Sequence, residues 1–569
     1  MKTTSNEFYV KFSDFNLGQA PLAHLNTLTS LGKTGHYSSA SNVDVISSPE
    51  ILTQGMGLAT LTAGTEAAAI TDLVNYIMDI AVAADVTYAI SSTKLHKISS
   101  TAVSVASPFN VSGGGYTITN ATDGSSVALL KGKLYYFFNK SSGADCGMYD
   151  LNVTFDDDYF STVPTGAAAL QKAVHPVATQ QDLMAFGNGR YLGIFNDTTT
   201  TLSPTKLDFG NDAVVADVIF HANQWWVAVN SGITGTNRTM GRIYLYDGSA
   251  ISAIIADETA VGVQRIGFIY ALNGVVYVAY QDLSSSGGFH VGYISGRQLK
   301  HLRSFTGSLP TFAQKSLFNN TIIFVSSGLI YSCGAVIDQL PVQISQLMDG
   351  GFTTVGAIAC PFGTILTAST QSTSFKLAKA SGYDTACNYR TLVIPLSNGR
   401  HVGYIEHIIV TTKSLGVSSR CDLVVEINQA AYSGTVQQII PKSATFTAAV
   451  TDIITSAGHG LLNGTTVILT TTTTLPAGLS LSTTYYVISA TADTFSLSAT
   501  LGGSAINITD TGTGTHTWWS AKRRHIFTNF GLPAGGVEDF RLFLSWANGS
   551  ATNDCPIRQI EVIGTWKEK

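Results

Sequence analysis

The chain has 569 residues, 45% of them hydrophobic and only 12% charged, with a formal net charge of -5. The charged fraction is about half the usual ~25%. Together with a pI near 6.2 it gives no basic footprint for nucleic acid or an anionic membrane surface. Fifty-four glycines and abundant Thr and Ser disfavour helices, while β-branched Thr suits strands, so composition predicts an all-β protein of about two to four domains.

Residues 1–60 show no sustained period and read as an N-terminal extended arm with short strands. The opening MKTTSNEFYVKFSDF has no apolar core of the kind a secretory leader needs, and no run of about 20 apolar residues follows anywhere. The expectation is a protein made in a host cytoplasm, without a signal peptide or membrane span. GKTG at 32–35 lacks the earlier glycine and the strand-to-helix context of a phosphate loop, so it reads as a turn. Residues 66–82 hold Ala67, Ala68, Ala69, Ile70, Leu73, Ile77 and Met78 at spacings that suit an amphipathic helix. We read the second half as a strand instead, because Ile77, Ile80 and Val82 lead straight into VTYAI.

From there a pattern recurs: an apolar run, a polar or Gly corner, then an aromatic-rich run. Its clearest copy is RIGFIYALNGVVYVAYQD at 265–282, where Asn273-Gly274 supplies the positive backbone dihedrals of a tight hairpin turn. The aromatic-rich runs are VTYAI, KLYYFF, RYLGIF, QWWVAV, VVYVAY, TIIFV and GTILTA. Taking Tyr88, Tyr136, Tyr191, Trp226, Tyr277, Phe324 and Leu366 as equivalent gives steps of 48, 55, 35, 51, 47 and 42 residues. Such steps match the ~40 to 50 residues of a four-stranded propeller blade. Third strands follow in CGMYDLN, GRIYLYDG and HVGYISG. Residues 61–383 therefore predict a β-propeller of about seven blades, with Asn42 to Ile51 as the segment that closes the ring.

After Gly382 the strands lengthen and alternate more cleanly. NYRTLVIPL, HVGYIEHIIVTT, CDLVVEINQ, RRHIFTNF, VEDFRLFLSWA and IRQIEVIGTW predict a C-terminal β-sandwich, jelly-roll-like, over 384–443 and 518–569. Residues 444–517 interrupt it as a Thr-rich inserted small β-domain, in a stretch without Lys or Arg between Lys442 and Lys522. The phrases GHGLLNGTTVIL, LPAGLSLSTTYYVISATADTFSLSAT and GTGTHT of this insert resemble a small β-module of bacteriophage tail and virion proteins. SNVDVISSPEILTQGMGLATLT and VTYAISSTKLHKIS are similar to tailed-phage proteins as well. The resemblance implies a structural virion component of the tail or host-facing adsorption apparatus. Its expected partners are other virion proteins, copies of itself in a symmetric oligomer and a host surface glycan or receptor. It carries over no catalytic residue.

Few residues nominate chemistry. GADCG at 143–147 lacks the Ser and Trp of a sialidase-type Asp box. Asp156, Asp157 and Asp158 are read as a solvated loop, with a calcium site as the alternative. His459, between glycines, reads as an exposed turn residue, and the six cysteines as free structural thiols, since none has zinc spacing. No GxSxG, HExxH or CxxC occurs. The reading is therefore not an enzyme, with no cofactor, no metal and no catalytic residue. A carbohydrate-binding adhesin is the alternative and a propeller glycoside hydrolase a third. Paired tryptophans on a strand must face opposite ways, one to the core and one outward. Trp518 and Trp519, followed by Arg523 and Arg524 in the only basic cluster, are the candidate surface or ligand contacts.

Overall fold

The computed structural model describes residues 7–13, 15, 37–44, 50–60, 79–83, 86–98, 104, 108–109, 115–162, 170–232, 240–255, 263–282, 288–335, 341–349, 354–361, 364–371, 374–384, 387–397, 400–427, 432–520, 523–550 and 552–568. Nearly every element among them is a strand. The chain divides into two compact units, Gly57–Ser381 and a second made of Met1–Met56 with Gly382–Lys569. GKTG and residues 66–78 of the 66–82 segment lie outside the described residues. Ile80 and Val82 fall in the strand Asp79–Ala83.

The first unit holds seven four-stranded antiparallel sheets among its described residues. In six of them the four strands follow one another in the chain, over 79–117, 123–156, 177–208, 213–255, 263–305 and 315–349. The seventh joins Thr354–Ala359, Leu366–Gln371 and Ser374–Tyr383 to Met56–Thr60, which precedes the first sheet in sequence. Closure by a strand from the other end of the unit is thus as expected, but the strand is Met56–Thr60. Within the expected 42–51 segment, Val43–Asp44 pairs instead with Thr53–Gln54. Leading strands of successive sheets adjoin: Asp79–Ala83 meets Asp123–Leu130, then Val177–Gln180, Ala213–His221 and Val263–Leu272 follow. The step to the next sheet passes through Thr321–Ser326 and the short 3-10 turn Phe312–Gln314. Lys315–Phe318 then adjoins Thr354–Ala359, which returns to Asp79–Ala83.

This stacking explains the aromatic runs. In Lys133–Lys140, Tyr135 and Phe137 pack on Met184, Phe186 and Phe195 of the next sheet. Leu134, Tyr136 and Phe138 pack on Tyr88, Ile90 and Leu95 of the previous one. A strand covered on both faces reads as a continuous apolar run, not an alternating one. The tight turns are encoded locally: Asn273 and Gly274 have φ of +50° and +79° between Leu272 and its partner Val275. Lys131-Gly132, Ala222-Asn223 and Asn319-Asn320 repeat the device, all with positive φ. Sequence misaligns one repeat, because RYLGIF is the third strand of its sheet, Tyr191–Asn196, and the second is Leu183–Asn188. With Phe186 in place of Tyr191, the steps of 55 and 35 become 50 and 40.

Buried polar side chains pin neighbouring sheets together. The Asn230 amide donates to the Ile266 carbonyl at 2.8 Å and accepts its N–H at 2.7 Å. Ser125 accepts the His175 N–H at 2.7 Å, and Ser126 donates to its carbonyl at 2.5 Å. Asp217, almost fully buried, accepts from Ile269 N–H at 2.7 Å and from the Lys315 ammonium, which also donates to the Ile269 carbonyl. A buried charge is tolerated when it is paired and hydrogen-bonded in this way.

In the second unit, two of the sheets among the described residues share one core. Glu7–Phe12, Ile557–Glu568, His401–Thr412 and Arg524–Phe527 form one. Tyr37–Ser41, Asn388–Thr391, Asp539–Ser545, Cys421–Ile427 and Tyr432–Ser433 lead the other. Phe8, Val10, Ile408, Val410, Ile560 and Val562 of the first share that core with Tyr37, Tyr389, Leu423, Val425, Leu542 and Leu544 of the second. The arm expected over 1–60 is therefore part of this unit: Glu7–Phe12 is an edge strand on the last strand of the chain, in register from Glu7↔Thr565 to Phe12↔Ile560. Tyr37–Ser41 and Asn388–Thr391 are adjacent antiparallel strands, so residues 57–381 are themselves an insertion between neighbouring strands.

Candidate functional site

The Thr-rich insert is a closed six-stranded barrel of Lys442–Ala448, Ile454–Thr455, Thr466–Thr471, Thr484–Ile488, Thr494–Ser498 and His516–Ser520. Its boundaries extend slightly beyond the expected 444–517, and Lys442 pairs directly with Ser520. Entry and exit of the chain are thus side by side. Alternation places Phe446, Val467, Leu469, Tyr485, Val487, Phe495, Leu497 and Trp518 inside, and leaves much of the Thr outside. Its three acidic residues are loop pins. Asp452 accepts Ile508 N–H, Asp493 accepts Gly458 N–H, and Asp510 accepts those of Ala477 and Gly512.

The barrel corrects two expectations. Trp518 is fully buried with its indole N–H donating to Ser456 Oγ at 2.9 Å, so it cannot meet a ligand at the surface. His459 is also buried, not exposed. Its Nδ1 accepts Leu461 N–H at 3.0 Å, Nε2 faces the Thr494 carbonyl at 3.3 Å, and the ring packs on Phe495. Trp519 faces the other way and is half-buried, its N–H held by Thr470 Oγ1 at 2.9 Å. Arg523 and Arg524 are exposed, at the start of the edge strand Arg524–Phe527, where charge discourages pairing with another chain's strand. Of the four, Trp519, Arg523 and Arg524 remain at the surface. The barrel also exposes large apolar side chains: Leu462 is 75% and Leu501 69% exposed, and Leu501 Cδ1 lies against Gly464, two residues from Leu462.

The acidic candidates of the first unit are internally satisfied. Asp157 accepts from Tyr116 Oη, Tyr136 Oη and Thr119 N–H, and Asp158 pairs with Lys140 at 2.5 Å. Asp145 of GADCG, buried, takes Lys140 at 2.8 Å and Ser161 Oγ at 2.6 Å. Asp157 and Asp158 are therefore held by partners at the turn, although the Asp158 side chain is still 50% exposed, in part as a solvated loop would leave it. All six cysteines are unpaired, and burial pushes the thiols of Cys360 and Cys387 up to about 12. They are structural.

Sequence reading missed a line of three residues on adjacent strands. Asp282 Oδ1 lies 3.1 Å from His290 Nε2, and His290 Nδ1 lies 2.9 Å from Ser304 Oγ. No spacing rule finds it, since the residues meet only through strand pairing, with His290 opposite Ser304. The order of contacts is that of a nucleophile, base and orienting carboxylate. Acyl transfer also needs paired donors for the oxyanion. Beyond His290, Ser304 Oγ lies 3.5 Å from His301 Nε2, too long for a strong donor. Burial and the neighbouring His290 lower the His301 pKa. The arrangement satisfies the buried polar atoms of His290 across three strands.

The described residues of the second unit line clefts. One of about 330 Å³ is lined by Tyr404, Phe530, Leu532 and Val537 among others. Another, about 520 Å³, gathers Asp44, Gln54, Tyr383, Lys413, Asn553 and Asp554. Burial pushes the Asp554 carboxyl up to about 6. The hydrogen bonds of the Gln54 and Cys555 N–H groups and the charge of Lys413 oppose that, and the charge of Asp44 adds to it.

No family model matches the chain, and no curated protein sequence does. Among solved structures, it is similar to the extracellular domain of a putative hybrid two-component system from B. thetaiotaomicron at 12% identity and a TM-score of 0.38, over 64% of this chain and 43% of that one. This chain thus spans less than half of that protein. The β-propeller domain of the Trilobed protease from Pyrococcus furiosus matches at 9% identity and a TM-score of 0.36, over 55% of this chain and 97% of that domain. The Neurospora crassa Pan2 WD40 domain gives 8%, 0.36, 58% and 95%. The propeller-like repetition described above rests on the strand order of this chain.

Proposed function

We propose that this chain is a non-enzymatic structural component of a phage-like virion, in the tail or its host-facing end, acting through protein-protein contacts. In this reading residues 57–381 form a seven-bladed propeller and the second unit a β-sandwich of jelly-roll type, both serving as scaffold. The barrel is the presented element. The observation that supports the reading is the barrel's construction. It has its own closed hydrogen bonding and core, enters and leaves the sandwich at neighbouring residues, and carries exposed Leu462 and Leu501. Contiguous exposed apolar surface marks contact sites.

A host glycan as the contact is the second reading, and Trp519 is its best-supported residue, since it is only half-buried and its indole is held in place by Thr470. The test is to replace residues 443–519 by a short Gly-Ser link. The rest should fold and enter particles, while adsorption to host cells falls at least tenfold. Unchanged adsorption would refute the assigned role of the barrel.

A further inference from the structure

The larger cavity of the second unit draws its lining from segments far apart in the chain. Asp44 and Gln54 sit on the small ladder Val43–Asp44 with Thr53–Gln54, and Asp554 follows Asn553, whose N–H donates to Ser550 Oγ. The Gln54 backbone N–H donates to Asp554 Oδ1 at 3.1 Å, which fixes that carboxylate against the ladder. The Gln54 amide is oriented by its surroundings. Its Nε2 donates to the Asp384 carbonyl at 2.9 Å and the Ser550 carbonyl at 3.4 Å, so Oε1 must be the opposite atom. The Gln54 side chain is almost fully buried, and its Oε1 has no hydrogen-bond partner. A buried carbonyl oxygen of this kind is unfavourable unless something donates to it or coordinates it.

The lining is acceptor-rich. Asp44, Asp554, Gln54, Asn553, Thr53 and Thr552 all carry side-chain oxygens, and one cation, exposed Lys413, lines the cavity with them. Hard divalent cations take oxygen ligands of this mixed sort, and Ca²⁺ accepts six to eight of them at roughly 2.3 to 2.6 Å, with water completing the set.

We propose that this cavity binds Ca²⁺ through Asp44, Asp554 and the amide oxygen of Gln54. The ion would tie the ladder of Val43–Asp44 and Thr53–Gln54 to residues 552–556, fastening the N-terminal part of the second unit to its C-terminal part. Binding to the folded state alone raises stability by mass action.

The full chain, treated with chelator and dialysed, is titrated with CaCl2 by calorimetry and melted with and without about 1 mM Ca²⁺, the weak end of protein Ca²⁺ sites. The expected result is a single saturable site and a rise of several degrees in the unfolding midpoint. Asp44→Asn and Asp554→Asn, nearly isosteric, should each weaken binding at least tenfold. Tb³⁺ locates the ion: emission sensitised by Tyr383 should fall in Tyr383→Phe, be displaced by Ca²⁺, and leave Ca²⁺ affinity intact. No binding heat and no midpoint shift up to about 10 mM Ca²⁺, well above that weak end, overturns the proposal. So does equal binding in the wild type and in both Asn variants, once circular dichroism shows these folded.

Discussion

Adjacent tryptophans in the barrel should behave oppositely when truncated. Trp518 is fully buried among Phe495, Val467 and Leu469, so Trp518→Ala removes a large core side chain and leaves a cavity, a change that costs about 3 to 5 kcal/mol. Its lost hydrogen bond adds little, because Ser456 Oγ still donates to the Thr445 carbonyl at 2.8 Å. Trp519 is half-buried and loses one neutral hydrogen bond to Thr470, so Trp519→Ala costs about 1 kcal/mol. In a domain the size of residues 442–520, each kcal/mol moves the midpoint by roughly 4 to 8 °C. Scanning calorimetry of the full chain should therefore show the barrel transition falling by more than about 12 °C in Trp518→Ala and by less than about 8 °C in Trp519→Ala. The transition of the 57–381 unit should stay in place in both. Equal shifts, or a 57–381 transition that moves with the barrel, would refute the assignment of Trp518 to an autonomous core.

Three further outcomes follow from the first unit. His175 is fully buried, donates from Nδ1 to the Gly187 carbonyl at 2.8 Å, and has its pKa lowered by burial from 6.5 to about 4. Its folded pKa is depressed, so the unfolded chain binds the extra proton: stability is full above pH 6.5 and declines toward pH 4, by about 3 kcal/mol. Denaturant melts across that window should show the slope, and His175→Phe should flatten it. Lys315→Met strands the buried Asp217 carboxylate and should cost about 3 to 5 kcal/mol by urea titration, with Asp217→Asn added to it restoring part of the loss. The Asp282, His290 and Ser304 line is a cross-strand pin, so a fluorophosphonate probe should leave Ser304 unlabelled. Labelling that disappears in Ser304→Ala would reverse the non-enzymatic reading.

Local chemistry made much of this fold legible. Asn273-Gly274 announces its turn because only residues tolerant of positive φ fit there. The aromatic runs announce buried second strands. RYLGIF misled because a third strand facing two sheets carries the same composition as a second, so only pairing, Tyr191 with Asn188 and Asp208, separates them. The N-terminal strand was hidden for a different reason. EFYVKF alternates well, but its partner lies at the far end of the chain, Glu7 opposite Thr565, and nothing local records such a pairing. The site residues were legible in part: the period-2 rule correctly split Trp518 from Trp519 but could not say which faced inward. The Asp282, His290 and Ser304 line, and the Gln54 cavity, depend on contacts between separate strands and left no spacing signal.

The central claim is that this chain is a virion component, and the most direct measurement is quantitative mass spectrometry of purified particles. The account predicts peptides from both the 57–381 unit and the barrel, at a fixed and reproducible copy number relative to the major capsid protein. Particles that are infectious and lack the chain would contradict it.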